Sequence, residues 1–181
     1  AGSASGLASA PIWTADSNQG SANFGTSVSS AGDVNGDGYS DVIIGANLYD
    51  NPEGNEGRAY VYHGSASGLG SSPAWTAESD AAAAQFGASV ATAGDMNGDG
   101  YSDVIVGAPL DSGGSFTVYL GTAGGLSWHG RVTFNQVGAE FGRAVATAVL
   151  AGLAAAAAHL ARYGMPDLEG LAGMERVYAV L

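Results

Sequence analysis

The sequence has no cysteine and no lysine, and only 12% of its 181 residues are charged. Without cysteine there can be no disulfide framework, thiolate metal site or cysteine nucleophile. Without lysine, five basic residues, all arginine, face 17 acidic ones, for a formal charge of −12. A surface this negative repels phosphate backbones and anionic lipid heads, so neither nucleic acid nor a membrane surface is expected as a partner. Long apolar runs are also missing: none reaches the roughly 18 residues of a membrane-spanning helix, so no membrane insertion is expected. Residues 1–10 have neither the basic start nor the apolar core of a signal peptide, and the chain reads as a mature or excerpted soluble one. Glycine, by contrast, is abundant at 30 residues and follows no Gly-X-Y period, which excludes collagen and argues for many turns. With 46% apolar residues the chain can bury a core and is not disordered.

The chain repeats itself. GSASGLASAPIWTA (2–15) returns as GSASGLGSSPAWTA (64–77), an offset of 62 residues. The same offset carries Phe24-Gly25 onto Phe86-Gly87, and GDVNGDGYSDVIIGA (32–46) onto GDMNGDGYSDVIVGA (94–108). A third, divergent unit follows, with GTAGGL at 121–126, Trp128 in place of Trp75, and FGRAVATA at 141–148. Where the second unit has GDMNGDGYSD, the third reads VLAGLAAAAAHL (149–160), then recovers at Gly164-Met165-Pro166 and Val177-Tyr178. The expected division is 1–63, 64–120 and 121–181.

Within each unit the apolar runs are short, β-branched or aromatic, and bounded by Gly, Asn, Asp and Ser, which is the pattern of strands. FGTSVSSA, DVIIGAN, RAYVYHG and APIWTA are read as four strands per period. RAYVYHG alternates, with Ala59 and Val61 on one face and Tyr60 and Tyr62 on the other. DVIIGA is continuously apolar, as suits an inner strand covered on both faces. Four short strands every 60 or so residues predict an all-β chain of four-stranded antiparallel blades, a β-propeller-type repeat with three blades present. Ala151–Tyr163 stands apart: its composition predicts a short helix stopped by Gly164 and Pro166, whereas its place in the repeat predicts a loop and strand.

The strongest chemical signal is Asp33-Val-Asn35-Gly-Asp37-Gly38-Tyr39-Ser-Asp41, repeated as Asp95-Met-Asn97-Gly-Asp99-Gly100-Tyr101-Ser-Asp103. Oxygen-bearing side chains stand at positions 1, 3, 5 and 9, with glycine at 6 to permit a sharp turn and a position-7 carbonyl to complete a shell. An all-oxygen set with several carboxylates favours Ca²⁺, which removes the repulsion among them. Asn-Gly and Asp-Gly also serve plain turns, but that explains one such loop better than the same oxygen positions twice. An EF-hand does not fit, because position 12 is Ile44 or Val106 and not Glu, and the flanks are strand-like. The three histidines share no ligand spacing. Asp16, Asp50, Glu78 and Asp80 suggest no catalytic pair, and no nucleophile elbow or phosphate loop appears. No enzyme is expected.

These residues together resemble the FG-GAP repeat, the blade unit of the integrin α-subunit propeller and of many bacterial surface proteins. Phe-Gly at 24–25, 86–87 and 141–142 carries the resemblance, with Gly45-Ala46-Asn47, Gly107-Ala108-Pro109, Gly164-Met165-Pro166 and the two DxNxDGxxD loops. It implies that Ca²⁺ is held by Asp33, Asn35, Asp37, the Tyr39 carbonyl and Asp41, and by Asp95, Asn97, Asp99, the Tyr101 carbonyl and Asp103. Two Ca²⁺ per chain are expected, since no Asp, Asn or Glu occurs from Val149 to Met165. The family closes with about seven blades, so three units form an incomplete or excerpted propeller. The expected function is a secreted, extracellular or cell-surface module for adhesion, ligand binding or assembly, with a protein or glycan ligand and with further blades or copies of the chain as partners. An accessory propeller of an exported hydrolase or lyase, and a structural repeat of a surface filament, are the alternatives.

Overall fold

A computed structural model describes residues 9–133 throughout, preceded by the backbone of two short antiparallel strands, β1 (Gly2–Ser3) and β2 (Gly6–Leu7). The Ala151–Tyr163 segment and the rest of the third repeat beyond Thr133 lie outside the described residues.

Eight further strands form two four-stranded antiparallel sheets, and the described residues contain no helix. The first sheet is β3 (Phe24–Gly32), β4 (Asp41–Ala46), β5 (Arg58–Tyr62) and β6 (Trp75–Glu78), in that spatial order. The second is β7 (Ser89–Gly94), β8 (Asp103–Ala108), β9 (Ser115–Leu120) and β10 (Ser127–Thr133). These are two blades of a propeller-type repeat. Each is an up-and-down meander, as short connections between consecutive strands dictate.

One strand differs from expectation. Ala10–Ala15 is not extended sheet; the strand that completes the first blade is its second copy, Trp75–Glu78. The pairing explains this. Trp75 lies opposite Val61 of the preceding unit, whereas Trp13 pairs with no strand among the described residues and stands edge-on to Tyr62. Each blade therefore takes its fourth strand from the repeat that follows.

The two faces of β5 part as the alternation requires. Ala59 and Val61 join Ile43 in a core shared with Phe86, Val90, Val104, Val106 and Tyr119 of the second blade. Tyr60 and Tyr62 join Ile44 and Ala46 on the opposite face, where Trp13 and Phe24 pack against them. Burying side chains of this size contributes roughly 1.5–3 kcal/mol each, so the interface between blades is a main source of stability. Strands β3 and β7, the first of each sheet, lie against one another. The Phe-Gly and Gly-Ala pairs that name the motif meet at this junction. Gly87 (φ +83°) lies so close to Gly45 that a Cβ on Gly45 would collide with the Gly87 carbonyl. Its amide meanwhile donates to the carbonyl of Gly107, 3.0 Å away. The motif glycine of one blade is thus wedged between those of two.

Candidate metal centres

Strand β3 ends at Gly32, which pairs with Asp41 at the start of β4, so the loop from Asp33 to Ser40 is closed at its base by the sheet. Asp33 Oδ1 accepts the amides of Gly36 (2.7 Å) and Asp37 (3.0 Å), and its Oδ2 accepts that of Gly38 (2.8 Å). Asn35 Oδ1 accepts the Asp37 amide at 3.1 Å, and Asp37 Oδ1 the Tyr39 amide at 2.9 Å. Four of the five expected ligand residues, Asp33, Asn35, Asp37 and Tyr39, are drawn into one curl. Positive φ at Gly36 and Gly38 (75° and 87°) lets the chain turn this tightly.

The second loop repeats the network bond for bond. Asp95 Oδ1 takes the amides of Gly98 (2.7 Å) and Asp99 (3.1 Å), and its Oδ2 that of Gly100 (2.9 Å). Asn97 Oδ1 takes the Asp99 amide at 3.1 Å, and Asp99 Oδ1 the Tyr101 amide at 3.0 Å. Tyr39 and Tyr101 enter this pattern through their amides.

Position 9 is different in kind. Asp41 and Asp103 are fully buried. Asp41 accepts the amides of Val34 (2.9 Å) and Gly64 (2.8 Å), tying the loop to the end of β5, and Asp103 does the same with Met96 (2.7 Å) and Gly121 (2.9 Å). Burial raises the Asp103 carboxyl, opposed by its two amide donors and assisted by the charges of Asp99 and Asp95. Asp37, on the exposed rim, is lowered by the Tyr39 amide and the Asn35 side chain. The two loops also touch: the Ser102 amide donates to the Asp33 carbonyl (2.8 Å), and the Asp33 amide donates to Ser102 Oγ (3.1 Å).

Two features had no signal in the repeat. His63 Nδ1 lies 3.2 Å from Asn35 Nδ2, but the residue after Tyr119, matching His63 after Tyr62, is Leu120. At the other end of the first blade, carboxylate oxygens of Glu56, Glu78 and Asp80 all lie within 4.8 Å of one another, the only such trio among the described residues. Glu78 ends β6 and pairs with Arg58, while Glu56 precedes β5 in the connection from β4. Burial and the neighbouring Glu78 push the Glu56 carboxyl up to about 7.

Residues 24–62 and 86–120 match the family model of the FG-GAP repeat, and the chain carries two FG-GAP repeats. Among similar proteins, human integrin alpha-6 is 32% identical over 114 residues, 63% of this chain and 10% of that protein. Integrin alpha-4 of Xenopus laevis is 37% identical over 107 residues, 58% of this chain and 10% of the relative. Integrin alpha-PS2 of Drosophila melanogaster is 40% identical over 95 residues, 49% of this chain and 7% of the relative. The chain thus spans about a tenth of these relatives' length.

Proposed function

We propose that this chain, with its two FG-GAP repeats as neighbouring blades, is a non-enzymatic calcium-binding propeller module of an extracellular or cell-surface protein. It serves adhesion, ligand binding or assembly. The observation that carries the reading is the doubled loop: the same nine-residue pattern adopts the same hydrogen-bonded curl in both blades. A turn needs no such array of acids. Two exposed or half-buried acids and an amide per loop leave oxygen lone pairs over, and the all-oxygen set suits Ca²⁺ better than Mg²⁺, which dehydrates reluctantly.

Asp33, Asn35, Asp37, the Tyr39 carbonyl and Asp41 would hold one ion, and Asp95, Asn97, Asp99, the Tyr101 carbonyl and Asp103 the other. Bound Ca²⁺ supplies positive charge that offsets the crowded carboxylates and cross-links the curl. The chain's own part is to preset the curl and anchor it through the position-9 aspartates. A likeness to integrin alpha subunits supports the adhesive reading, and a protein or glycan ligand would bind through the loops, where propeller specificity lies.

Extracellular modules of this type bind Ca²⁺ with Kd on the order of 10⁻⁴ to 10⁻³ M. At a hundredfold excess over Kd each site adds about 2.7 kcal/mol. Thermal melts in millimolar Ca²⁺ and in EGTA test the proposal. A clear rise in Tm with Ca²⁺ is expected, and Asp37→Ala or Asp99→Ala should remove most of its own loop's share. Superimposable melts would overturn it.

A further inference from the structure

The acidic trio lies at the end of the first blade away from the loops. Register fixes this: Val42 pairs with Tyr62 at the loop end, and Ala46 with Arg58, then Arg58 with Glu78, at the other. Here the β4–β5 connection and the segment after β6 are laced together. Gly54, Asn55 and Glu56 carbonyls accept the amides of Ala83 (2.8 Å), Gln85 (3.1 Å) and Phe86 (2.8 Å). The Ser79 hydroxyl donates to the Glu56 carbonyl at 3.2 Å. Gly57, at φ +83°, lets the chain pass so near Phe86 that a Cβ would collide with it. The backbone of Glu56 is thereby held on both sides.

Its side chain is not. Glu56 is 0% exposed, and neither carboxylate oxygen makes a well-formed hydrogen bond, the Asn51 amide and the Glu78 carboxyl being the polar groups that act on it. The charges that act on it, those of Glu78 and Glu53, are negative. Arg58, the cation close by, pairs with Glu78, donates to the Tyr49 hydroxyl (2.9 Å) and lies over the Tyr49 ring, and its buried Nε, though unpaired, is not bonded to Glu56. An unpaired buried carboxylate costs several kcal/mol unless a proton or a cation meets it. Three carboxylate oxygens within 4.8 Å of one another need only a small side-chain movement to share an ion at about 2.4 Å from each, the ordinary Ca²⁺–oxygen distance. Asp80 is exposed and leaves a way in from solvent.

We propose that Glu56, Glu78 and Asp80 form a divalent-cation site, selective for Ca²⁺, that joins the β4–β5 connection to the segment linking the two blades. It is separate from the loop sites and does not depend on them.

The test is calorimetric titration of Ca²⁺ into the full chain, Glu56→Gln, Asp80→Asn and an Asp37→Ala/Asp99→Ala form. The full chain should bind one equivalent more than Glu56→Gln, and the loop-deficient form should keep that equivalent. Asp80→Asn, a surface change that leaves folding intact, should weaken it about tenfold or more by removing one of three charges. Failure of the loop reading would instead leave the full chain with the Glu56-dependent equivalent alone. If Glu56→Gln and Asp80→Asn both leave stoichiometry and affinity unchanged, the site is overturned. A ¹³C carboxyl signal showing Glu56 protonated at pH 7.5 in saturating Ca²⁺ would overturn it equally, by assigning its partner as a proton.

Discussion

At the scale of single residues, acids of the same loop have different duties. Asp37 sits on the rim and receives one backbone amide and the Asn35 side chain; Asp41 is buried and satisfies two backbone amides, of Val34 and of Gly64. Removing a buried acceptor strands its donors at about 1–3 kcal/mol each. Asp41→Ala should therefore cost roughly 3 kcal/mol or more even in EGTA, whereas Asp37→Ala should cost little in EGTA and lose the Ca²⁺ increment. Urea melts of both variants, with and without Ca²⁺, check this; equal losses in EGTA would contradict the division. Spacing made the two oxygen-rich curls legible, because alternate oxygens and a position-6 glycine are local features. The second duty of Asp41 was not legible, since Gly64 lies far along the chain and is brought near only by β4 and β5 pairing.

At the scale of strands and turns, most of the architecture could be read beforehand. The alternation of RAYVYHG assigned its two faces, and the unbroken DVIIGA run marked β4 as an inner strand. What could not be read was phase: a repeat fixes the period of a pattern and not where a sheet begins, and among the described residues APIWTA joins no sheet while its copy pairs with β5. The purpose of the motif glycines was hidden too, because it is a contact between blades. Gly45→Ala would drive a Cβ into the Gly87 carbonyl, while one at Gly54 meets nothing within 4 Å. Backbone cannot yield as a flexible side chain does, so Gly45→Ala should cost about 2–3 kcal/mol and Gly54→Ala under about 1 kcal/mol. Denaturant midpoints of the two variants decide; similar values would mean that the blades separate at little cost. The Ser102–Asp33 bonds carry a related expectation, that ordering the second loop assists the first. Asp99→Ala should then weaken Ca²⁺ binding at the first loop as well, measurable as a reduced affinity for the remaining loop equivalent. An unchanged affinity there would mean that the loops act independently.

For the molecule as a whole, the tryptophans show how blades are joined. Trp13 stands edge-on to Tyr62 at 4.9 Å, and Trp75, in the last strand of the first blade, stands edge-on to Tyr119 of the second at 4.7 Å. Trp128 is the sequence copy of Trp75, but it lies opposite Tyr119 and not opposite Val118, the counterpart of Val61, and it is 65% exposed. Ile12, 74% exposed, offers a second apolar surface before the first blade. A propeller closes only when typically four to eight blades complete the ring, and stacked repeats with open apolar ends associate. The 181-residue chain in saturating Ca²⁺ should therefore self-associate at micromolar concentration, which light scattering would register as a mass above 17.8 kDa. Trp128→Ser should shift the chain toward monomer with little loss of Tm, since an exposed ring contributes little to the folded state. Trp75→Ser should instead lower Tm strongly, because its ring is part of the contact between blades. A compact monomer in Ca²⁺ would show that the three repeat units cover their own apolar ends.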